Sequence, residues 1–142
     1  MANGRSFRIV VACHGDLGAA LIASAEMICG HIDDAVAIGL MPHESPEVYA
    51  KALDSAIGAD GRPVLILVDL MGGTPYNVAS AAFGRLQASG RLTACVSGAN
   101  LSLLLEAATS LGSIREDAVA RLVAAGQASV ADVTRRPEKT NV

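Results

Sequence analysis

Residues 63–77 read PVLILVDLMGGTPYN, and this stretch decides the fold class. Residues 63–68 are uniformly apolar, which is typical of a central parallel strand that helices cover on both faces. The strand predicted there ends at Asp69. After a pair of glycines, Thr74-Pro75 predicts a helix with a threonine N-cap and a proline at its first position.

Three further apolar runs, at residues 7–13, 35–40 and 92–96, predict three more short strands. Apolar residues at helical spacing follow each run, so the chain alternates strand and helix with short connections. This alternation implies right-handed βαβ units and an open, mostly parallel sheet. We therefore predict an α/β fold in which a four-stranded sheet of order 2-1-3-4 carries helices on both faces.

Local signals mark where several of the helices begin and end. Asp16 is the predicted N-cap of the first helix, and Gly30 is its predicted stop. Ser45, followed by proline, is the predicted cap of the second helix. Ser113 with Glu116 predicts a capping box ahead of the last helix.

The C-terminal segment is less regular than the rest of the chain. Residues 128–133 are compatible with a short fifth strand, antiparallel at the edge of the sheet, and residues 137–142 form a polar tail. A length of 142 residues is close to the commonest size of a single domain. We predict one domain over residues 1–136.

Composition excludes several classes of function. The net charge of −3, from 11 Lys+Arg and 14 Asp+Glu, leaves no large basic face for nucleic acid, and 3% aromatics leave few rings for base stacking. Hydrophobic residues make up 51% of the chain, but no apolar run reaches the roughly 18 residues that span a bilayer. Three cysteines without a C-x-x-C pair argue against a disulfide framework or a zinc cluster and favour the reducing cytoplasm.

His14 and Asp69 are the leading candidates for chemistry. Ligands of open parallel sheets bind outside the carboxyl ends of the strands, where the strand order reverses. With the predicted order, that point lies between the first and third strands, so the two residues face each other there. An imidazole at such an edge can act as nucleophile, general base or metal ligand, or can simply cap or pack. No metal is expected, because His31 lies past the far end of the first helix and zinc lacks a third ligand.

Asp69 can accept a hydrogen bond from one imidazole nitrogen, which fixes the tautomer and exposes the other nitrogen. The alternative is that it only ties down the glycine turn. Gly72, Gly73 and Thr74 lead into a helix N-terminus, whose N–H groups and hydroxyl suit a phosphoryl group. A plain loop and cap is the alternative here, and no P-loop motif is present.

Asn77, Ser97 and Gly98 are predicted walls of the same crevice. Ser97 and Gly98 end the fourth strand, and a helix-capping turn is an equally good interpretation of them. His43 follows the second strand and is interpreted as a solvated loop residue.

Three blocks of the sequence resemble one known family. They are VVACHG (10–15) with AEMICG (25–30), then LVDLMGGTPYN (67–77), then VSGANL (96–101) with LLE (104–106). In this order they resemble the mannose-family IIA domain of the bacterial phosphoenolpyruvate-dependent sugar phosphotransferase system (PTS). The resemblance runs from about residue 7 to at least residue 106.

The resemblance implies a phosphocarrier. His14 would accept a phosphoryl group from phospho-HPr and pass it to a IIB domain or subunit, with Asp69 beside it and Thr74 as the hydroxyl that contacts phosphate. No cofactor is implied. The resemblance also implies a cytoplasmic homodimer in which residues 128–133 cross to the partner's sheet, without membrane insertion but with room for association with membrane IIC/IID subunits. Ser102 departs from the family pattern, since many relatives have proline there.

Two other classes of function stay open. A PTS-derived regulatory or sensor module would keep the fold and be phosphorylated on His14 without a transport role. A small-molecule binding domain would have a His14 that does no chemistry. The sequence does not identify a sugar, because a IIA domain contacts proteins and phosphate but no carbohydrate.

Overall fold

The computed structural model describes residues 5–135, and its centre is one parallel sheet. The strand order is β2-β1-β3-β4, which confirms the predicted order. Each strand pairs with its neighbours in parallel register. The strands are β1 (Arg8–His14), β2 (Ala35–Leu40), β3 (Val64–Val68) and β4 (Thr93–Val96).

Helices cover both faces of this sheet, as predicted. One group of three helices packs on one face, and a pair packs on the other. The first group is α1 (Leu17–Cys29), α4 (Leu101–Thr109) and α5 (Glu116–Ala128), and the pair is α2 (Pro46–Ile57) and α3 (Thr74–Ala88). In residues 5–135, no helix combines the length and the apolar character that crossing a membrane requires.

The two central strands form the middle of the core because helices cover both of their faces. Every residue of β3 is buried. In β1, Ile9, Val11 and Cys13 face the three-helix side, whereas Val10 and Ala12 face the helix pair. This double coverage explains why these strands read as continuous apolar runs rather than as alternating patterns.

Two of the predicted helix boundaries are confirmed. The Ser45 hydroxyl accepts a hydrogen bond of 3.1 Å from the N–H of Val48, and Pro46 is the first residue of α2. Gly30 caps the C-terminus of α1 with φ +84°. The departure at Ser102 does not disturb α4, because the Asn100 side chain accepts from the N–H of Leu103 at 2.8 Å and caps the helix.

Other predicted caps are wrong. Gly73 takes the N-cap position of α3 with φ +98°, a conformation that favours glycine, so Thr74 is the first helical residue instead of the cap. The helix α5 begins at Glu116 with Arg115 as its N-cap and no side-chain cap bond, so Ser113 and Glu116 form no capping box.

A third predicted cap is correct only in position. Asp16 does stand before α1, but its backbone, at φ −91° and ψ 5°, leaves the cap without a side-chain hydrogen bond.

Residues 128–135 form no strand within this single chain. Ala128 ends α5, and residues Val133–Arg135 form one short 3₁₀ turn. A strand exchanged over residues 128–133 requires a second chain, so it stays a prediction. The predicted polar tail at 137–142 lies outside the described residues.

Candidate functional site

Two adjacent strands bring His14 and Asp69 together, as the topology predicted. His14 is the last residue of β1, and Asp69 follows β3 directly. The register pairs Ala12 with Val68, so both residues emerge at the same edge. The ring Nδ1 of His14 lies 2.9 Å from the Oδ2 atom of Asp69, and the His14 backbone N–H donates to that same oxygen at 2.9 Å.

The Asp69 side chain is largely buried, and its carboxylate accepts hydrogen bonds from protein groups. Its side chain is 7% exposed, and its Oδ1 atom accepts from the Leu70 N–H at 3.0 Å. Burial raises the pKa of Asp69, but hydrogen bonds from the backbone and ring of His14 and from Leu70 outweigh it and hold the pKa below its ordinary value. Asp69 is therefore ionised at neutral pH.

An ionised Asp69 determines the tautomer of His14. A carboxylate can only accept, so Nδ1 must carry the proton and donate it. In the neutral ring the lone pair then lies on Nε2. The His14 side chain is 46% exposed, so this nitrogen belongs to a ring that solvent reaches.

The turn between β3 and α3 lies beside that nitrogen. A methyl group added at Gly73 would lie 3.5 Å from Cε1 and 3.7 Å from Nε2 of His14. Thr74 follows as the first residue of α3, and it is half-buried. The first N–H groups of a helix lack partners within the helix and sit at the positive end of its dipole, so they favour an anion beside the ring.

The predicted wall residues lie in different places around this edge. The turn after β4 is tied to β3, because the Ala99 N–H donates to the Val68 carbonyl at 2.9 Å. Ser97 lines a groove along β4, and Gly98 is exposed with φ +80°. Asn77 instead lines the groove between α2 and α3.

Four loops form this edge of the sheet, and their charged residues are acidic apart from one histidine. The connecting residues 15–16, 41–45, 69–73 and 97–100 contain no lysine or arginine. They contain Asp16, Glu44 and Asp69, and also His43, which is exposed with φ +68°. In residues 5–135, no three histidine, cysteine, aspartate or glutamate side chains are grouped to hold a metal ion.

Sequence reasoning missed a rim of exposed apolar side chains around His14. Leu17, Met41, Leu70 and Met71 are 44%, 44%, 52% and 71% exposed. They stand at the start of α1 and in the loops after β2 and β3, at the edge where His14 emerges. The sequence could have indicated them, because three of the four are apolar residues in loops that directly follow predicted strands.

Sequence reasoning also missed the glycine that supports the turn after His14. Gly39 pairs with Cys13 across β1 and β2. A Cβ at Gly39 would collide with the carbonyl oxygen of Gly15. The Gly15 N–H donates to the Leu40 carbonyl at 2.8 Å, so this turn lies directly against β2.

Comparison with known proteins finds similarity to one family. The EIIA-man family model, described as "PTS system fructose IIA component", matches residues 8–124. The fructose-specific EIIA component of Bacillus subtilis (strain 168) is 33% identical over 102 residues, which are 69% of this chain and 66% of that relative. The mannose-specific EIIAB component of Escherichia coli (strain K12) is 29% identical over 69% of this chain, which spans only 30% of that protein. The crystal structure of EIIA from Streptococcus agalactiae superimposes with a TM-score of 0.80 at 30% identity and covers 90% of this chain and 98% of that one.

Proposed function

This chain belongs to the EIIA-man family of the sugar phosphotransferase system, and we propose that it carries a phosphoryl group on His14. The donor is phospho-HPr, and the acceptor is a IIB component during sugar uptake and phosphorylation. One observation carries the proposal: a half-exposed His14 has its Nδ1 held 2.9 Å from Asp69, and its ring edge with Nε2 lies beside Gly73, the N-cap of α3. The domain extends over residues 1–136.

The transfer step uses the lone pair on Nε2 of His14. This pair attacks the phosphorus of the donor phosphohistidine, and an Nε2–P bond forms as the donor N–P bond breaks. The electron pair of the broken bond stays on the donor nitrogen. The Nδ1 proton remains on His14 and keeps its hydrogen bond to Asp69, so no proton has to leave the site.

The protein contributes alignment and charge stabilisation to this step. Both the donor and the acceptor are imidazoles, so the transfer needs little driving force in either direction. Asp69 stabilises the positive charge that develops on the ring. Backbone N–H groups at Gly72 and Gly73, together with the Thr74 hydroxyl, are the proposed ligands of the phosphoryl oxygens.

Phosphorylation in a reconstituted system tests this proposal. The protein is incubated with phosphoenolpyruvate, enzyme I and HPr, and phosphohistidine is located by mass spectrometry. We expect one acid-labile phosphate on His14, none in His14→Ala, and wild-type incorporation in His43→Ala, which removes an exposed histidine from the neighbouring loop. Phosphate retained in His14→Ala contradicts the proposal.

A second assay separates a transport component from a regulatory or sensor module. The name of the Escherichia coli relative joins EIIA and EIIB in one component, which supports a IIB partner. Membrane vesicles with the IIB, IIC and IID subunits of the same system should take up and phosphorylate sugar only when this protein is added. Phosphorylation of His14 without any uptake favours the regulatory module instead. We also propose that the protein acts in the cytoplasm, together with these partners.

We also propose a homodimer in which residues 128–133 form an antiparallel fifth strand on the partner's β4. In the described part of the chain, β4 pairs only with β3, and a groove of about 650 Å³ runs along its other edge between α3 and α5. Val130 and Val133 are 79% and 71% exposed, and such a strand would cover them. Sedimentation should give a dimer that Val130→Asp dissociates, whereas Val48→Asp, at a 56% exposed site on α2, leaves it intact. A wild-type monomer contradicts the proposal.

A further inference from the structure

The space beside Nε2 of His14 is bordered by a residue that has no side chain. Gly73 takes φ +98° and ψ 168°, a region that is essentially restricted to glycine. It is exposed, and the nearest side-chain atoms to a Cβ built there belong to the His14 ring, at 3.5 Å and 3.7 Å. Core packing therefore does not require a glycine here, and the neighbour affected by a side chain is the reactive ring itself.

The position of this missing side chain matters for group transfer. Reacting atoms are about 3 to 3.5 Å apart just before a transfer step. A methyl carbon 3.7 Å from Nε2 and 3.5 Å from Cε1 would stand at a similar distance, but to the side of the ring and off the direction of the lone pair. It would crowd the oxygens of the incoming phosphoryl group rather than the phosphorus.

We infer that Gly73 keeps the volume beside Nε2 clear for the phosphoryl group. This role of Gly73 is separate from any hydrogen bond that its N–H donates. An alanine at this position keeps the N–H, and its methyl group fills the volume beside the ring. The inference rests on the proposed phosphorylation of His14. It adds that Nε2 can accept a phosphoryl group because no side chain fills the volume beside it.

The chain offers two matched controls for Gly73→Ala. Gly30, at the far end of α1, has φ +84° and ψ −176°, so an alanine there suffers the same backbone strain, and nothing lies within 4 Å of its Cβ. Gly90, after the C-terminus of α3, has φ +86° and also nothing within 4 Å of its Cβ. Gly30→Ala and Gly90→Ala therefore control for backbone strain at positions away from the His14 ring.

The test measures phosphorylation of His14 by two donors in all three variants and the wild type. One donor is phospho-HPr, and the other is phosphoramidate, a small molecule with an N–P bond that needs no docking surface. We expect Gly73→Ala to lower kcat on the order of tenfold or more with both donors, with KM for phospho-HPr nearly unchanged. Gly30→Ala and Gly90→Ala should stay within about threefold of wild type.

The outcomes separate this inference from the proposed function. Equal rates for Gly73→Ala and Gly90→Ala with phosphoramidate overturn the inference. A defect confined to phospho-HPr also overturns it, because it would locate the effect in docking. A wild type that reacts with phosphoramidate but not with phospho-HPr contradicts the proposed function alone.

A measurement on the wild type covers the case in which Gly73→Ala does not fold. Diethyl pyrocarbonate should acylate His14 at Nε2 within about tenfold of the rate at exposed His43, because the volume beside that nitrogen is clear. Protection of His14 beyond that range overturns the inference.

Discussion

The Oδ2 atom of Asp69 accepts two hydrogen bonds from His14, one from its backbone N–H and one from its ring, each 2.9 Å long. One oxygen therefore fixes both the end of β1 and the orientation of the imidazole. The other oxygen is held by the Leu70 N–H. The carboxylate cannot rotate without losing bonds at both ends, so the ring is preorganised before a partner arrives.

Asp69→Asn should slow phosphorylation of His14 on the order of a hundredfold or more while the protein stays folded. An amide offers one acceptor atom where the carboxylate offers two, and it carries no charge to stabilise the phosphorylated ring. Initial rates with phospho-HPr and thermal unfolding of the same samples check this expectation. Asp16→Asn is the control, because it removes an equal charge from the exposed loop after His14. A wild-type rate in Asp69→Asn would make this carboxylate purely structural.

Stability should fall as the pH is lowered below about 4, and Asp69 should account for part of the fall. Its pKa in the folded protein is below its ordinary value, whereas in the unfolded chain it returns to about 3.9. The unfolded state therefore binds the proton first as the pH drops, and stability is lost between the unfolded and the folded pKa. Urea unfolding from pH 6 to pH 2.5 measures this slope. Asp69→Asn should flatten it, and an unchanged slope in the variant would contradict the assignment.

The three cysteines should differ sharply in reactivity. Burial raises the pKa of Cys13 to about 12 and that of Cys95 to about 11, whereas Cys29 is exposed. Since the thiolate is the reactive form, iodoacetamide at pH 8 should label only Cys29 in the folded protein. Mass spectrometry should find no label in folded Cys29→Ser and two labels after denaturation. Rapid labelling of Cys13 in the native state would mean that β1 is open to solvent.

Gly39→Ala should destabilise the protein by about 1 to 3 kcal/mol, because its methyl group would collide with the Gly15 carbonyl. The backbone after His14 must move to relieve this contact, so phosphorylation of His14 should slow as well. Gly84→Ala is the control: nothing lies within 4 Å of its Cβ, and in the interior of α3 the change should add up to about 1 kcal/mol. Urea unfolding measures both variants. A neutral Gly39→Ala would show that the turn adapts freely.

The strand order and the pairing of His14 with Asp69 were predictable because both depend on local patterns. Continuous apolar runs identify doubly covered strands, and residues that directly follow adjacent parallel strands meet at one edge. The helix starts show where local patterns stop being sufficient. Ser45-Pro46 caps α2 as predicted, but the similar pair Thr74-Pro75 does not cap α3, because Gly73 before it adopts the cap conformation instead.

The support of the site was not predictable from the sequence in the same way. The collision that a side chain at Gly39 would cause depends on the register between β1 and β2 and on the path of the turn at Gly15. Neither is encoded by spacing along the chain. The same holds for Gly73, whose relation to the His14 ring arises from two loops 59 residues apart.

Residues 15–16, 41–45, 69–73 and 97–100 contain no lysine or arginine. Their composition affects how long a phosphoryl group would stay on His14. A phosphoryl dianion on Nε2 would meet peptide dipoles and a hydroxyl, but no full positive charge from these loops. A cationic side chain would lower the free energy of the loaded form and thereby raise the barrier to unloading. The proposed phosphocarrier has to release the group that it accepts, so weak retention is useful to it, and these uncharged or acidic loops favour weak retention.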